Sequence, residues 1–425
     1  MSLPRYPKYK DSGVKWLGQV PEHWEIKAIK HVVEMRSGEA ITSESIAEEG
    51  NYPVFGGNGL RGYTTHFTHE GTFALVGRQG ALCGNVNYAS GKFWASEHAV
   101  VCSPRRPVAT RWLGELLRAL NLGQYSVAAA QPGLSVELVG RVQVPVPTSP
   151  EQSAIATFLE HETAKIDALV AEQERLIELL KEKRQAVISH AVTKGLNPDV
   201  PMKDSGIEWL GEIPAQWAVK PLKRIAKVNT GVAKGKDHGD RATVTVPYLR
   251  VANVQDGYLD LNDVTTMEIP PEDLPRYVLK SGDVLMNEGG DFDKLGRGCV
   301  WNGEIDPCIS QNHVFAVRTH SVRPEWLSAV TGSDYAQFYF MTRSKQSTNL
   351  ASISSTNLMD LPVVLPPADE VVTLLDGIAE KTAAYDQLLS ETQRAIDLLQ
   401  ERRAALISAA VTGQIDVREA AGRAA

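Results

Sequence analysis

Length, composition and charge limit what this chain can be. Its 425 residues exceed one ordinary domain of roughly 100–200 residues, and 43% apolar residues are enough to bury real cores. No apolar run approaches the ~20 residues that cross a bilayer, and residues 1–10 lack the apolar stretch of a signal peptide, so we expect a cytoplasmic protein. The net charge of −7 arises entirely from residues 147–196 and 365–417, so a basic surface elsewhere is not excluded.

An internal duplication organises the chain. Residues 10–38 match residues 203–231 with 12 identities in 29 positions, at a shift of 193. Residues 151–193 match residues 370–412 with 18 identities in 43 positions, at a shift of 219. These repeats enclose two middle segments that show no comparable alignment, and the second middle is 26 residues longer. Similar repeated segments therefore enclose two dissimilar middle segments.

The first middle predicts a strand-rich globular domain. In residues 51–102, short β-branched and aromatic runs are separated by glycines, which is typical of strands joined by turns. Residues 57–62 match the GxGxxG spacing of dinucleotide sites, but strand-like residues 63–67 follow where such a site needs a helix. We therefore predict a tight turn there. A short helix is predicted at residues 112–122.

Residues 149–195 predict one long helix. Apolar residues recur from Ile155 onward mostly at steps of three, four and seven, with charged residues between them. Ser149 and Pro150 supply a helix start, and Gly195 supplies a stop. Forty-odd residues at 1.5 Å each span roughly 60 Å, far more than an average globular helix. Helices of this length usually space domains or bind other helices.

The second half repeats this organisation. Residues 244–318 are again strand-rich, residues 324–341 predict a helix, and residues 367–414 predict a second long helix. The apolar positions of the two long helices stay in register, which suggests helix pairing. Seven basic side chains against two acidic ones in residues 220–241 suit either a solvated helix face or contacts to phosphates.

The sequence contains no complete catalytic motif. Glu22, Glu25 and Lys27 faintly resemble a nuclease pattern, but the repeat loses both acids and keeps the lysine. Residues 66–70 hold two histidines and a glutamate without standard zinc spacing, and the four cysteines fit buried thiols. The Asn-Pro-Pro-aromatic motif of adenine methyltransferases is also missing from the sequence. We therefore predict a chain with no catalytic residues, no metal site and no cofactor of its own.

Polar residues in predicted loops, many of them glycine-rich, are the candidates for reading DNA. Asn, Gln, Arg and acidic side chains match the donors and acceptors of the major groove, although simple turns also use glycine with Asn and Asp. The candidate DNA-binding residues are Asn58, Arg61, Tyr63, Arg78 and Gln79 in the first middle, and Lys234, Lys236, Arg250, Asn253, Asn287, Asp291, Lys294, Arg297 and Asn312 in the second.

Several segments resemble the specificity subunit of type I restriction-modification systems. KDSG, WLG and PEHW in residues 10–24, repeated from residue 203, resemble the segment that opens each half in that family. The second long helix departs from the first where Glu370-Val371 replaces Glu151-Gln152, which could weaken its start. Four further similar segments are YPVFGG, PYLRVAN, GDVLMN and QNHVF, at residues 52–57, 247–253, 282–287 and 311–315.

The resemblance implies an α+β fold with an internal pseudo-twofold duplication. Two strand-rich target recognition domains would be separated by two long antiparallel helices that form a coiled-coil spine. The predicted boundaries are residues 1–148 for recognition domain 1, 149–195 for spacer helix 1, 196–366 for recognition domain 2, 367–414 for spacer helix 2, and 415–425 for a C-terminal tail.

The resemblance also implies a function. Each recognition domain would read one half of a bipartite, asymmetric site in double-stranded DNA, and the chain would be non-catalytic. Its partners would be two methyltransferase subunits, which use S-adenosylmethionine to methylate adenine, and two motor-endonuclease subunits, which use ATP and Mg²⁺. The methyltransferase subunits are expected to pack on the long helices, whose candidate contact residues are Leu159, Ile166, Leu180, Val187, Ile378, Tyr385, Leu399 and Leu406.

Two alternatives remain open. The chain could be an orphan, methylation-only specificity factor, in which case no nuclease partner would co-purify. It could instead be a coiled-coil assembly scaffold whose inserts bind protein. Steep salt dependence of DNA binding would argue against the scaffold, because phosphate contacts release counterions.

Overall fold

The chain forms two compact units in the computed structural model. The structure describes residues 3–80, 82–126, 133–235, 239, 241–290, 292, 295–346 and 351–422. Unit 1 comprises Met1–Glu174 and Arg394–Ala425, and unit 2 comprises Arg175–Gln393. The division falls within the two long helices, so each unit contains one part of each helix.

The two long helices begin and end within three residues of the predicted segments. The helix predicted at residues 324–341 is instead two helices, because Ser333 adopts an extended backbone between them. In the described part of the chain, no helix is both long and apolar enough to cross a membrane. The described helices are α1 Ile29–Val32, α2 Thr110–Ala119, α3 Val136–Arg141, α4 Ser149–Lys194, α5 Leu274–Tyr277, α6 Pro324–Thr331, α7 Asp334–Arg343, α8 Ser355–Met359, α9 Ala368–Val411 and α10 Arg418–Ala421.

Unit 1 is built on a four-stranded antiparallel central sheet of order β4-β11-β8-β9. A second sheet of order β6-β5-β10-β7 contains one parallel pair, β5 with β10. Helix α2 buries its apolar face against the central sheet, and Trp112 at its start is fully buried. The strands are β1 Tyr9–Asp11, β2 Gln19–Pro21, β3 Glu25–Ala28, β4 Val33–Ser37, β5 Tyr52–Gly56, β6 Gly59–Thr64, β7 His69–Glu70, β8 Phe73–Gly77, β9 Val86–Ala89, β10 Lys92–Ala95, β11 Ala99–Pro104 and β12 Gln143–Val146.

Unit 2 is built on a central sheet of order β16-β23-β19-β21, which is again antiparallel throughout. A second sheet of order β18-β17-β22 again contains one parallel pair, β17 with β22. Helix α6 packs on the central sheet through Trp326, which is fully buried. The strands are β13 Met202–Asp204, β14 Glu212–Pro214, β15 Ala218–Pro221, β16 Ala226–Thr230, β17 Val244–Leu249, β18 Thr265–Ile269, β19 Asp283–Asn287, β20 Gly289–Gly290, β21 Gly298–Trp301, β22 Ile309–Ser310, β23 Val314–Thr319, β24 Lys345–Gln346, β25 Ala351–Ser352 and β26 Pro362–Leu365.

The central sheets of the two units correspond strand by strand. Strands β4, β11, β8 and β9 take the same places as β16, β23, β19 and β21. The agreement extends across the two middles, although their sequences do not align. The largest loop difference lies between β5 and β6, which two residues join, whereas residues 250–264 join β17 and β18. That loop supplies 13 of the 26 additional residues in the second middle.

The interpretation of the basic residues at the start of residues 220–241 as a solvated helix face is wrong. Lys220 lies in β15, residues 222–224 form a single 3-10 turn, and Lys227 lies in β16. Both strands are paired, β15 with β26 and β16 with β23. Sheet pairing with distant segments therefore overrides the local amphipathic spacing.

A repeated tryptophan anchors the first turn of each long helix. Trp24 is fully buried in unit 1, and its indole Nε1 donates to Glu151 Oε1 at 3.3 Å. Trp217 is fully buried in unit 2, and its indole Nε1 donates to Glu370 Oε2 at 3.0 Å. The two segments that repeat in the sequence are thus joined in each unit by the same tryptophan-to-glutamate hydrogen bond.

In unit 1, the carboxylate of Glu151 makes four polar contacts that hold this anchor together. One oxygen accepts from Trp24 and lies 2.8 Å from His23 Nε2, and the other accepts from the hydroxyl of Thr148 at 2.7 Å and its backbone N–H at 3.2 Å. Burial opposes ionisation of Glu151, but the hydrogen bonds from Thr148, His23 and Trp24 outweigh it and hold its pKa below the ordinary value. The folded state therefore prefers the ionised carboxylate.

The replacement Glu151→Gln is expected to destabilise unit 1 by about 1–3 kcal/mol at pH 7, because it removes a charged hydrogen-bond acceptor. Since the folded pKa is lowered, the stabilisation is present above the unfolded pKa and is lost as pH falls through the folded pKa. The difference between the two chains should therefore shrink below about pH 4.5. Thermal unfolding of both chains between pH 3 and pH 8 measures it. Glu160→Gln, at an exposed position of the same helix, should change little at any pH.

Candidate nucleic-acid interface

Candidate DNA-binding residues of unit 1 meet in one open groove. Asn58, Arg61 and Gln79 line it together with His98, in a space of about 520 Å³. We call this the unit 1 tip groove; its lining is Gly57, Asn58, Gly59, Leu60, Arg61, Gln79, Gly80, Leu82 and His98.

The two-residue turn between β5 and β6 forms one wall of the unit 1 tip groove. A Cβ atom added at Gly57 would lie 3.1 Å from the carbonyl oxygen of His98, and one added at Gly77 would lie 2.5 Å from the carbonyl oxygen of Gly57. Glycines at these positions therefore let the turn lie against the ends of β8 and β11. Asn58 is exposed, and its Oδ1 accepts from Asn85 Nδ2 at 3.0 Å.

Arg78 stands at the end of β8, beside the groove. Its side chain is exposed, and its Nη1 donates to Ser37 Oγ at 3.0 Å. Its backbone N–H donates to His98 O at 2.9 Å. Leu60 and Leu82 on the rim are 54% and 50% exposed. Guanidinium, amide and apolar groups together match the hydrogen-bonding edges and thymine methyl group of the major groove.

Tyr63 lies apart from these residues, in a second groove of unit 1. This groove has a volume of about 600 Å³ and includes His66 and Trp94. Backbone hydrogen bonds tie Tyr63 to Ala47 in both directions, at 2.8 and 2.9 Å.

In unit 2, three of the candidate residues hold the loop of residues 250–264. Asn253 is 3% exposed, and its amide donates to the carbonyl oxygens of Asp260 and Asp263 at 2.9 and 3.0 Å. Arg250 donates to the carboxylate of Asp263 at 2.7 Å. Asn287 donates to the carbonyl oxygen of Val254 at 2.9 Å. These side chains shape the loop; Asn253 has almost no surface left for a ligand, whereas Arg250 and Asn287 are half-buried.

The exposed polar end of unit 2 lies around His313. Its Nδ1 lies 2.8 Å from Glu288 Oε2, and its Nε2 lies 3.3 Å from the amide nitrogen of Asn312. We call Glu288, Asn312 and His313 the unit 2 tip. Of the other candidates, Lys234 is exposed on a turn and Arg297 is half-buried beside the end of β19. Lys236, Asp291 and Lys294 lie outside the described residues.

Opposite charges stand at corresponding positions of the two units. Arg78 follows β8, Glu288 follows β19, and these strands occupy the same place in their sheets. The backbone N–H of Glu288 donates to His313 O at 2.9 Å, as that of Arg78 does to His98 O. Arginine suits the two acceptors of guanine, whereas glutamate suits the amino group of cytosine. Corresponding strands of the two units thus carry side chains of opposite charge at their ends.

A family described as Type I restriction modification DNA specificity domain matches residues 21–179. Residues 21–179 of this chain are therefore similar to that DNA specificity domain. The matched range covers strands β3 to β12 with their loops, including the unit 1 tip groove, and the first part of α4.

Proteins similar to this chain are named as specificity subunits, which confirms the resemblance found in the sequence. The chain is 42% identical over 138 residues to the type I restriction enzyme EcoprrI specificity subunit of Escherichia coli, covering 32% of this chain and 34% of that protein. It is 23% identical over 278 residues to the EcoKI specificity subunit of Escherichia coli K12, covering 64% and 58%. The matches thus span from a third to under two thirds of these relatives' own length.

One solved structure shares the fold. A chain from work on complex assembly and conformational transition of the type I R-M system covers 92% of this chain and 98% of its own length. The TM-score is 0.53 at 15% sequence identity, which shows a common fold. The α+β class predicted from the sequence is confirmed.

The predicted partner-contact residues of the long helices are buried or half-buried. Leu159, Ile166, Leu180 and Ile378 are at most 9% exposed, and Val187, Tyr385, Leu399 and Leu406 are half-buried. Four of the eight predicted residues are thus covered within the chain itself, and the partner contact of the other four stays a prediction. The large apolar side chains that remain exposed on α4 and α9 are Leu169, Leu176, Leu179, Val372, Leu388 and Leu398.

Three polar residues of the unit 1 tip groove and the unit 2 tip are not among the residues predicted from the sequence, namely His98, Glu288 and His313. His313 belongs to the QNHVF segment, of which only Asn312 is among the predicted DNA-binding residues. A sequence signal existed, because a histidine directly precedes the central strand in both middles, as HAVV and as HVFA. Without the strand correspondence, these two short runs could not be aligned.

Proposed function

We propose that this chain is the DNA-binding specificity subunit of a type I restriction-modification complex. Each unit would read one half of a bipartite, asymmetric site in double-stranded DNA. The observation that carries this proposal is the pair of corresponding central sheets with different polar groups at their ends, Arg78 in one and Glu288 in the other. Two units with the same central sheet would suit the two halves of one DNA site. Different polar side chains at the ends of the sheets would suit different bases in each half.

The two long helices would act as an antiparallel spacer between the recognition domains, with the boundaries predicted from the sequence. Each unit supports helix pairing through an ion pair. In unit 1, Arg403 Nε donates to Asp167 Oδ1 at 2.7 Å, and in unit 2, Arg184 Nε donates to Asp386 Oδ1 at 2.6 Å. Exposed ion pairs contribute little stability, so they support the register of the helices rather than their strength.

The chain would be non-catalytic and would direct the chemistry of its partners. Two methyltransferase subunits would supply S-adenosylmethionine-dependent adenine methylation, and two motor-endonuclease subunits would supply ATP- and Mg²⁺-dependent restriction. We place the methyltransferase contact on the exposed leucines of α4 and α9, because four of the eight contact residues predicted from the sequence are buried. Leu176 and Leu179 are three residues apart on α4 and so share one face of the helix, and a contiguous exposed apolar patch marks a surface for other proteins.

Single-molecule methylation sequencing of the host genome, with this gene intact and deleted, tests the proposal. We expect N6-methyladenine at one split, asymmetric motif to disappear on deletion and to return with the gene. Unchanged methylation while the partner genes are expressed would contradict the proposal. Loss of the motif without any nuclease subunit in the purified complex would identify a methylation-only factor.

A further inference from the structure

The two units place a histidine at the same point of the same turn. In unit 1, residues 96–99 form a turn closed by the Ala99 N–H donating to Ser96 O at 2.9 Å. In unit 2, residues 311–314 form a turn closed by the Val314 N–H donating to Gln311 O at 2.9 Å. The third residue of each turn is histidine, and it is the one identity between the two four-residue segments.

The scaffold around the two turns is also the same. Each turn leads directly into the strand that pairs with two neighbours in the central sheet, β11 in unit 1 and β23 in unit 2. In each unit, the histidine carbonyl oxygen accepts a backbone hydrogen bond from the residue that follows the neighbouring strand, at 2.9 Å. The backbone of each histidine therefore ties its turn to the neighbouring strand of the central sheet.

The two imidazole rings are open to solvent at the tips. The side chain of His98 is 46% exposed and that of His313 is 54% exposed. His98 lines the unit 1 tip groove beside Asn58 and Gln79. His313 stands next to Asn312 in the unit 2 tip. Neither ring packs in a hydrophobic core, so packing does not explain why a histidine stands at both positions.

A carboxylate fixes each ring from a different direction. In unit 1, Glu97 of the same turn lies 3.1 Å from His98 Nε2. In unit 2, Glu288 from the end of β19 lies 2.8 Å from His313 Nδ1. The contact leaves His313 Nε2 facing the Asn312 amide. The two rings thus occupy corresponding positions, but the carboxylate contacts Nε2 of His98 and Nδ1 of His313. Different ring edges suit contacts to different bases.

We infer that His98 and His313 are specificity-determining residues, each contacting base edges in one half of the DNA site. This inference rests on the proposed function and adds two residues to it. His98 contacts its base directly from the unit 1 tip groove. His313 acts together with Asn312, whose amide can pair with an adenine edge in the major groove. A ring nitrogen can donate or accept, so its carboxylate partner sets which edge it recognises.

Methylation sequencing of His98→Ala and His313→Ala chains, expressed in the gene-deleted host, tests the inference. We expect His98→Ala to admit additional bases at one or more positions of one half-site, with roughly 10- to 100-fold weaker discrimination there and the other half unchanged. His313→Ala should relax only the opposite half-site. His98→Gln and His313→Gln provide second variants that keep a polar side chain of similar reach.

The matched controls are exposed histidines away from the two turns. His31 lies in α1, before β4, and His320 directly follows Thr319, the last residue of β23. Their alanine variants should keep the native motif in both halves. A native motif in the His98 and His313 variants would overturn the inference, and so would the native motif methylated at fewer sites. Absence of any motif with the unchanged chain would instead contradict the proposed function.

Discussion

Replacing Trp24 with alanine is expected to destabilise unit 1 by about 3–5 kcal/mol, the usual cost of removing a fully buried tryptophan. Trp24 is 0% exposed and stacks edge-on with Tyr6 at 5.6 Å. Its indole also donates to Glu151 at the start of α4. The substitution therefore opens a cavity and leaves the buried carboxylate with one donor fewer.

The internal duplication supplies matched controls for this prediction. Trp217→Ala should destabilise unit 2 by a similar amount, since Trp217 is also fully buried and donates to Glu370. Trp16→Ala removes a tryptophan that is 41% exposed and should cost far less. Hydrogen exchange resolved by peptide measures each unit separately. Equal losses of protection in Trp16→Ala and Trp24→Ala chains would show that the repeated tryptophan is not an anchor.

The double replacement Leu176→Glu and Leu179→Glu is expected to weaken binding of the methyltransferase subunit by about 100-fold or more. Truncated apolar anchors at an interface centre typically cost 2 kcal/mol or more each, and a buried carboxylate adds to this. Leu176 and Leu179 are 40% and 48% exposed in this chain, so its own thermal stability should change little. Co-purification with the methyltransferase subunit and thermal unfolding of the isolated chain measure the two effects.

The next residue along α4 provides the contrast. Leu180 is 9% exposed, so Leu180→Glu should lower the stability of the chain itself. Glu174→Ala, at an exposed polar position of the same helix, should leave both binding and stability unchanged. If Leu176→Glu and Leu179→Glu together leave co-purification intact, the methyltransferase subunit binds another surface.

The helices and the duplication could be predicted from the sequence because both leave local signals. Apolar residues at helical spacing identified α4 and α9 nearly to their ends. The repeated tryptophan and glutamate lie in segments that align without gaps. The correspondence of the middles could not be predicted, because strand pairing and turn closure use backbone groups that many sequences supply.

The candidate site was predictable only in part. Residue type selected Asn58, Arg61 and Gln79, which do meet in one groove. The same reasoning selected Asn253, whose amide is buried and holds a loop, because residue type carries no information on burial. His98 was missed since a single histidine in a strand-rich segment has no pattern of its own. Its significance comes from its counterpart in the other unit.

The most direct test that each unit reads its own half-site is to give both units the same recognition segment. Residues 232–353 would be replaced by residues 39–134, between ends that correspond in both units. The replaced segment follows Gly38 in unit 1 and Gly231 in unit 2. It ends before Ser135 in unit 1 and before Ser354 in unit 2. The hydroxyl of each serine accepts a backbone N–H at the start of a short helix, at 3.3 and 3.2 Å. Methylation sequencing of a gene-deleted host that expresses this chain should show a symmetric motif, with one native half-site repeated in inverted orientation. Retention of the native asymmetric motif would contradict the claim that each unit reads its own half.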